Sequence, residues 1–66
     1  MAITLKAARI NAGLKQSEVA DKMEVSPSTM VSWETGKTSP TARQFVLLCK
    51  LYGCGMDDIF LPEKSN

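Results

Sequence analysis

The chain has 66 residues, of which 44% are hydrophobic and 23% are charged, and its formal net charge is +1. These values are typical of one small soluble domain, whose core is marginal unless it is well packed or shared with a second copy. No apolar run approaches the roughly 18 residues of a membrane span, and the N-terminus lacks the long apolar core of a signal peptide, so we expect a cytoplasmic protein. The chain has no histidine, and Cys49 and Cys54 alone cannot form a tetrahedral zinc site. We therefore expect no metal and no cofactor, and interpret both cysteines as small buried thiols.

Charge is distributed unevenly along the chain. Residues 1–50 carry seven basic and four acidic side chains, whereas residues 51–66 carry one basic and three acidic side chains. Because phosphates attract cations and repel carboxylates, we expect the acidic C-terminal part to lie away from any phosphate-bearing partner.

Helical periodicity dominates the sequence, and the alternation of a β-strand is nearly absent. The first predicted helix ends at Gly13, where a positive φ is cheap. Its apolar stripe consists of Ile3, Leu5, Ala8 and Ala12. A second helix is predicted from about Gln16 to Met23. Lys15 is a poor N-cap for this helix, and Glu18 in the first turn compensates partly through the helix dipole.

Ser26 and Pro27 predict the start of a third helix, because serine can cap the first turn and proline at N1 loses no intrahelical bond. Met30 and Trp33 form its apolar stripe, and Gly36 ends it. A helix that follows the second one so closely has to cross it at a steep angle, so its other face projects outward. That face carries hydroxyl groups on Ser28, Thr29, Ser32 and Thr35.

The residues from Thr41 to Tyr52 predict a fourth helix, which opens with a capping box between Thr41 and Gln44. This helix is apolar almost all round, so we expect it to be central or shared with a partner. Residues 56–60 predict a short last helix with acidic residues in its first turn. The residues from Pro62 onward are expected to fray.

Several features that are weak individually occur together in a specific order and spacing. They are Arg9, Gly13-Leu14, Gln16, Ala20, Val25-Ser26, Trp33-Glu34, Gly36-Lys37, Pro40, Tyr52-Gly53 and Met56-Asp57-Asp58-Ile59-Phe60. This series resembles the phage repressor and Cro helix-turn-helix family, also called the XRE or lambda-repressor-like family, from about Leu5 to Phe60. The resemblance implies an all-α fold, a compact five-helix lambda-repressor-like DNA-binding domain that occupies residues 1–66 as a single domain, with the helix-turn-helix motif at about residues 16–36.

The resemblance also implies a site for double-stranded DNA. The implied base-contacting residues are Pro27, Ser28, Thr29 and Ser32. The implied phosphate-contacting residues are Gln16, Ser17, Lys37, Thr38 and Arg43. Gln16 would also brace the third helix, and Arg9 and Glu34 would form a structural ion pair, the alternative being that Arg9 touches phosphate.

This chain departs from the family pattern at two places. Glu24 stands where the family often has glycine, and a non-glycine residue in the left-handed region costs on the order of 1–2 kcal/mol. Pro27 and Ser28 stand where some relatives place a glutamine that grips adenine, so direct base readout is expected to be modest. Backbone contacts and DNA shape would then carry more of the specificity.

We interpret the sequence as that of a DNA-binding transcriptional regulator, a repressor of bacterial or phage origin that acts as a homodimer on a two-fold operator. The dimer interface is expected at Cys54, Met56, Ile59, Phe60 and Leu61. Two alternatives stay open, an antitoxin-type autorepressor and a protein-interaction module that uses the same helical bundle. An enzyme is the least favoured class, because the sequence offers no histidine and no plausible activated nucleophile.

Overall fold

The computed structural model describes residues 2–61. Within this range the chain forms four α-helices: α1 (Leu5–Asn11), α2 (Gln16–Met23), α3 (Pro27–Thr35) and α4 (Ala42–Tyr52). A two-residue strand, β1 (Ile3–Thr4), precedes α1, and a 3-10 turn over Met56–Asp58 leads into a second strand, β2 (Ile59–Phe60). The expected fraying from Pro62 onward concerns residues outside the described range.

The starts of α2 and α4 follow from side-chain capping. Lys15 makes no side-chain cap bond, and the Glu18 carboxylate instead accepts the Lys15 backbone N–H at 2.9 Å. At α4 the capping box is complete, since the Gln44 N–H donates to Thr41 Oγ1 at 3.1 Å and the Thr41 N–H donates to Gln44 Oε1 at 2.8 Å. These bonds satisfy first-turn donors that have no partner inside the helix.

The turn between α2 and α3 depends on a strained residue. Glu24 has φ 58° and ψ 41°, in the left-handed region, and the next N–H, of Val25, donates back to Ala20 at 2.9 Å. Gly36 at the end of α3 and Gly53 at the end of α4 have similar positive φ values of 84° and 69°. Glycine adopts this conformation at little cost, whereas Glu24 holds it against a steric penalty.

Two predictions at the chain ends were wrong. Ile3 lies in β1 and not in the first helix, and the predicted last helix is only the 3-10 turn, so residues 2–61 contain four α-helices rather than the five expected. The strands pair in parallel, with Ile3 opposite Ile59 and Thr4 opposite Phe60. Ile59 is extended, with φ −114° and ψ 132°, and only 8% exposed, because its side chain completes the core. The fold is thus a helical bundle closed by one minimal β-ladder.

The core lies where the four helices meet. Its fully buried large side chains are Leu5, Val19, Met30 and Leu48. α2 and α3 form the most extensive contact between two elements, and Ala20 is 1% exposed at α2. A small side chain there allows the two helices to approach closely. None of the helices in the described part of the chain is long and apolar enough to cross a membrane.

Candidate nucleic-acid interface

Helix α3 has one anchored side and one free side. Met30 and Trp33 are 1% and 3% exposed and belong to the core. Pro27 and Ser28, at the start of the helix, are exposed, and Thr35 near its end is exposed as well. The helix is therefore held from behind by two large apolar side chains, and its opposite side faces solvent.

The hydroxyl groups at the start of α3 form a cluster. Ser26 Oγ accepts the Thr29 backbone N–H at 3.3 Å, and it lies 3.0 Å from both Ser28 Oγ and Thr29 Oγ1. Thr29 is half-buried, and so is Ser32 one turn later, whereas Ser28 is exposed. Of the four predicted base-contacting residues, Pro27 and Ser28 are thus the most accessible.

Val31 was not among the predicted contact residues, yet it is 44% exposed on the free side of α3. Val31 lies one turn after Pro27 and one turn before Thr35, so the three residues share a face. The Thr35 hydroxyl donates to the Val31 carbonyl at 2.8 Å and is engaged with its own helix. The spacing of these three residues is visible in the sequence, but Val31 is apolar and has no hydrogen-bonding group from which a base contact would be predicted.

Three polar side chains fasten α3 to the preceding elements; we call Arg9, Gln16 and Glu34 the Glu34 cluster. Arg9 Nε lies 2.8 Å from Glu34 Oε2, and Gln16 Nε2 donates to Glu34 Oε1 at 2.8 Å. A second guanidinium nitrogen of Arg9 lies 3.4 Å from Glu34 Oε1, and a third donates to the Leu14 carbonyl at 3.0 Å. The Glu34 and Arg9 side chains are 3% and 10% exposed. The structure therefore brings Arg9, Gln16 and Glu34 together in one hydrogen-bonded group at the end of α3.

The predicted phosphate-contacting residues lie at the starts of two helices and at the end of a third. Gln16 and Ser17 open α2, and Arg43 lies in the first turn of α4; Ser17 and Arg43 are exposed, and Gln16 is half-buried. Lys37 and Thr38 are exposed and directly follow α3, where both backbone N–H groups donate to the Ser32 carbonyl, at 3.0 and 3.3 Å. These bonds fix the start of that loop to the end of α3.

The predicted dimer residues do not all lie on the surface. Met56 and Phe60 are 47% and 51% exposed, and Cys54 and Leu61 are half-buried. Ile59 is a core residue of its own chain, as its pairing with β1 requires, so the expectation that it lies in an intermolecular contact is corrected.

Comparisons with known proteins agree with this geometry. Residues 5–59 match the family model described as "Helix-turn-helix". An uncharacterised HTH-type transcriptional regulator of Methanocaldococcus jannaschii is 34% identical over 62 residues, which cover 94% of this chain and 94% of that protein. No solved structure matches the chain. The matched range spans α1 to the start of β2 and includes the whole α2–α3 pair, so the family resemblance is confirmed: the chain belongs to the XRE-type helix-turn-helix family.

Proposed function

We propose that the protein is a sequence-specific DNA-binding transcriptional regulator that represses by occupying its operator as a dimer. The observation that supports this most directly is the two-sided character of α3, with Met30 and Trp33 in the core and Pro27, Ser28 and Val31 presented to solvent. An α-helix is about 10–12 Å across with its side chains, so α3 fits the major groove, which is about 12 Å wide.

Positioning on the duplex comes from groups that surround α3. The N–H groups of Ser17 in α2 and of Arg43 in α4 lie in the first turn and have no acceptor inside their helix, so they can donate to phosphates beside them. Lys37 supplies a cation at the other end of α3. Lys37 and Arg43 would neutralise about two phosphates per protomer and about four per dimer, which gives a slope of about −3.6 for log K against log salt.

Base reading comes from two chemically different groups on the free side of α3. The Ser28 hydroxyl can donate to or accept from a base edge, and its small size lets the backbone come close. The two methyl groups of Val31 match the C5-methyl group of thymine, which only thymine presents in the major groove. We therefore propose that Val31 adds a preference for thymine in each half-site.

Dimer action follows from the small size of the reading surface. One recognition helix contacts too few base pairs to specify a site in a genome, so two half-sites about one helical turn apart are expected. The exposed part of the C-terminal patch, Met56 and Phe60 with the half-buried Cys54 and Leu61, is where we place the protomer contact. The dimer bound to the operator would then prevent polymerase from binding there.

The first experiment selects bound fragments from random duplex DNA, and the resulting operator is used for titrations at several salt concentrations. Lys37→Ala should weaken binding to operator and to random DNA alike, and Ser28→Ala should weaken operator binding selectively. Lys6→Ala removes the same charge from the exposed side of α1 and serves as the matched control. A slope near zero for the unmodified protein would contradict the proposal and favour a protein-interaction module.

The second experiment isolates the Val31 contact. Each thymine of the operator is replaced by deoxyuridine in turn, and each replacement removes one methyl group from the DNA. At one position per half-site this should weaken the unmodified protein several-fold and leave Val31→Ala unaffected. If deoxyuridine weakened both proteins equally at every position, Val31 would not read thymine.

A further inference from the structure

An open groove lies between the end of α2 and the second half of α4, and none of its lining residues is among those assigned to DNA contact. Its volume is about 220 Å³, and it is lined by Lys22, Met23, Leu47, Lys50 and Leu51. Leu47 is 43% exposed, and both lysines are exposed. The groove therefore has an apolar floor with a cation on each side.

Within residues 2–61, neither Lys22 nor Lys50 forms a salt bridge; the salt bridge in this range joins Arg9 and Glu34. Sites for small molecules usually enclose about 300–1,000 Å³, which is more than this groove offers. Its size suits one or two apolar side chains, and its rim favours an anionic segment next to them. The matching occupant is a short stretch that combines exposed apolar and acidic residues.

The same chain carries such a stretch after α4. Met56 and Phe60 are 47% and 51% exposed, and Asp57 and Asp58 between them are exposed. Asp58 Oδ2 accepts the Gly55 N–H at 2.9 Å, which fixes the start of the 3-10 turn. Within residues 2–61 the Asp57 carboxylate forms no side-chain hydrogen bond and no salt bridge. We call Met56, Asp57, Asp58 and Phe60 the acidic strip.

We propose that the groove of each protomer receives the acidic strip of a second copy of this chain. The inference rests on the proposed dimer, in which Met56 and Phe60 contact the other protomer. It identifies the surface of the other protomer that these residues contact. Lys22 and Lys50 meet the two aspartates of the other copy's strip, and one large apolar side chain of the strip covers the groove floor.

The arrangement is compatible with two-fold symmetry. In such an interface, if the groove of one protomer contacts the strip of the other, the reverse contact forms as well. Both surfaces have to lie near the axis, so they have to lie near each other in one protomer. Lys50 and Leu51 are in the last turn of α4, and α4 contacts the 3-10 turn that Met56 begins. The contact is small, so association without DNA is weak and depends on salt.

The test is sedimentation equilibrium without DNA, with Lys50→Glu and Asp57→Lys as variants. Both residues are exposed, and within residues 2–61 neither side chain forms a hydrogen bond or a salt bridge. Circular dichroism should therefore show that both variants fold like the unmodified protein. Because each substitution changes two symmetric contacts from attraction to repulsion, each variant alone should dimerise at least about tenfold more weakly. Lys6→Glu makes the same charge change on α1 and should leave dimerisation unaltered.

Mixing the two variants is the decisive arm. In a mixed dimer, the glutamate introduced at position 50 of one protomer would face the lysine introduced at position 57 of the other. The second contact keeps the native lysine at position 50 facing the native aspartate at position 57, so both contacts are attractive again. The mixture should therefore associate as tightly as the unmodified protein. Variants that weaken the dimer but show no recovery on mixing would overturn the groove–strip contact.

Two further outcomes separate this inference from the proposed function. If the unmodified protein dimerises and both variants dimerise equally well, the protomers meet elsewhere and the groove–strip contact is overturned. If the unmodified protein stays monomeric at millimolar concentration and binds two half-sites independently, the proposed dimer fails and this inference fails with it. Salt-dependent binding to a single half-site would still support the DNA-binding part.

Discussion

Replacing Glu34 by glutamine removes the charge at the centre of the Glu34 cluster while keeping nearly the same shape. In the native protein the Glu34 carboxylate accepts from Arg9 and Gln16 at 2.8 Å each, and its side chain is 3% exposed. In the variant the Arg9 guanidinium stays buried, and only its bond to the Leu14 carbonyl is retained without change. An uncompensated buried charge is the costly consequence, more than the loss of one bond.

The expected loss in the free energy of unfolding is about 3–5 kcal/mol, the range for breaking a buried ion pair at one partner. A domain of this size has a total stability on the order of 3–10 kcal/mol. Glu34→Gln should therefore lose about a third or more of the stability of the domain, and a native domain at the lower end of this range would be largely unfolded at 25 °C. Glu18→Gln is the matched control, because its exposed carboxylate makes one bond to the Lys15 N–H, and its loss should cost about 1 kcal/mol or less.

The assay is urea unfolding followed by the fluorescence of Trp33, the only tryptophan of the chain, and by far-ultraviolet circular dichroism. A second variant, Arg9→Met with Glu34→Leu, replaces both charges by apolar groups and should recover most of the lost stability. A loss for Glu34→Gln no larger than the loss for Glu18→Gln would show that the stranded Arg9 charge is not costly. A double variant less stable than Glu34→Gln would show the same, since it removes that charge.

Three further predictions concern single positions. Burial, reinforced by the Glu34 carboxylate, raises the pKa of Tyr52 to about 12 from about 10 in the unfolded chain. The folded form therefore loses about 2 kcal/mol of stability as the pH rises from 10 to 12. The Tyr52 hydroxyl has no hydrogen-bond partner within residues 2–61, so Tyr52→Phe should match native stability at pH 7 and show a smaller decline in alkaline urea titrations. Glu24→Gly relieves the left-handed strain and should raise stability by about 0.5–1 kcal/mol after the entropy of glycine is subtracted, measured by thermal unfolding. Burial raises the pKa of the Cys49 thiol, so a disulfide reagent should modify the half-buried Cys54 first and Cys49 only at the rate of unfolding.

The middle of the chain could be predicted from the sequence because its signals are local. Ser26 and Pro27 start α3 at the expected residue, and the Thr41–Gln44 capping box starts α4. Each of these signals acts within one helical turn, so it can be read without knowledge of the rest of the fold.

The chain ends could not be predicted because their structure depends on a contact between distant residues. Ile3 and Ile59 pair across nearly the whole sequence, and strands of two residues are too short to show alternation. Ile59 follows the acidic first turn of what looked like a helix, and only the space left in the core decides that it is extended and buried. The same limit applies to the groove, because Lys22 and Lys50 lie on different helices and no local pattern connects them.

If the protein functions as proposed, stability and DNA recognition draw on different residues of the same short helix. A helix of nine residues is marginal on its own, so α3 depends on tertiary contacts, and those come from Met30, Trp33 and Glu34. The exposed Ser28 and Val31 contribute little to folding, since surface substitutions usually change stability by less than about 0.5 kcal/mol. Operator preference can therefore change through Ser28 and Val31 while the helix keeps its position. By the same reasoning, a substitution at Glu34 should reduce binding to operator and random DNA in equal proportion, because it moves or unfolds the whole helix without altering what its free side reads.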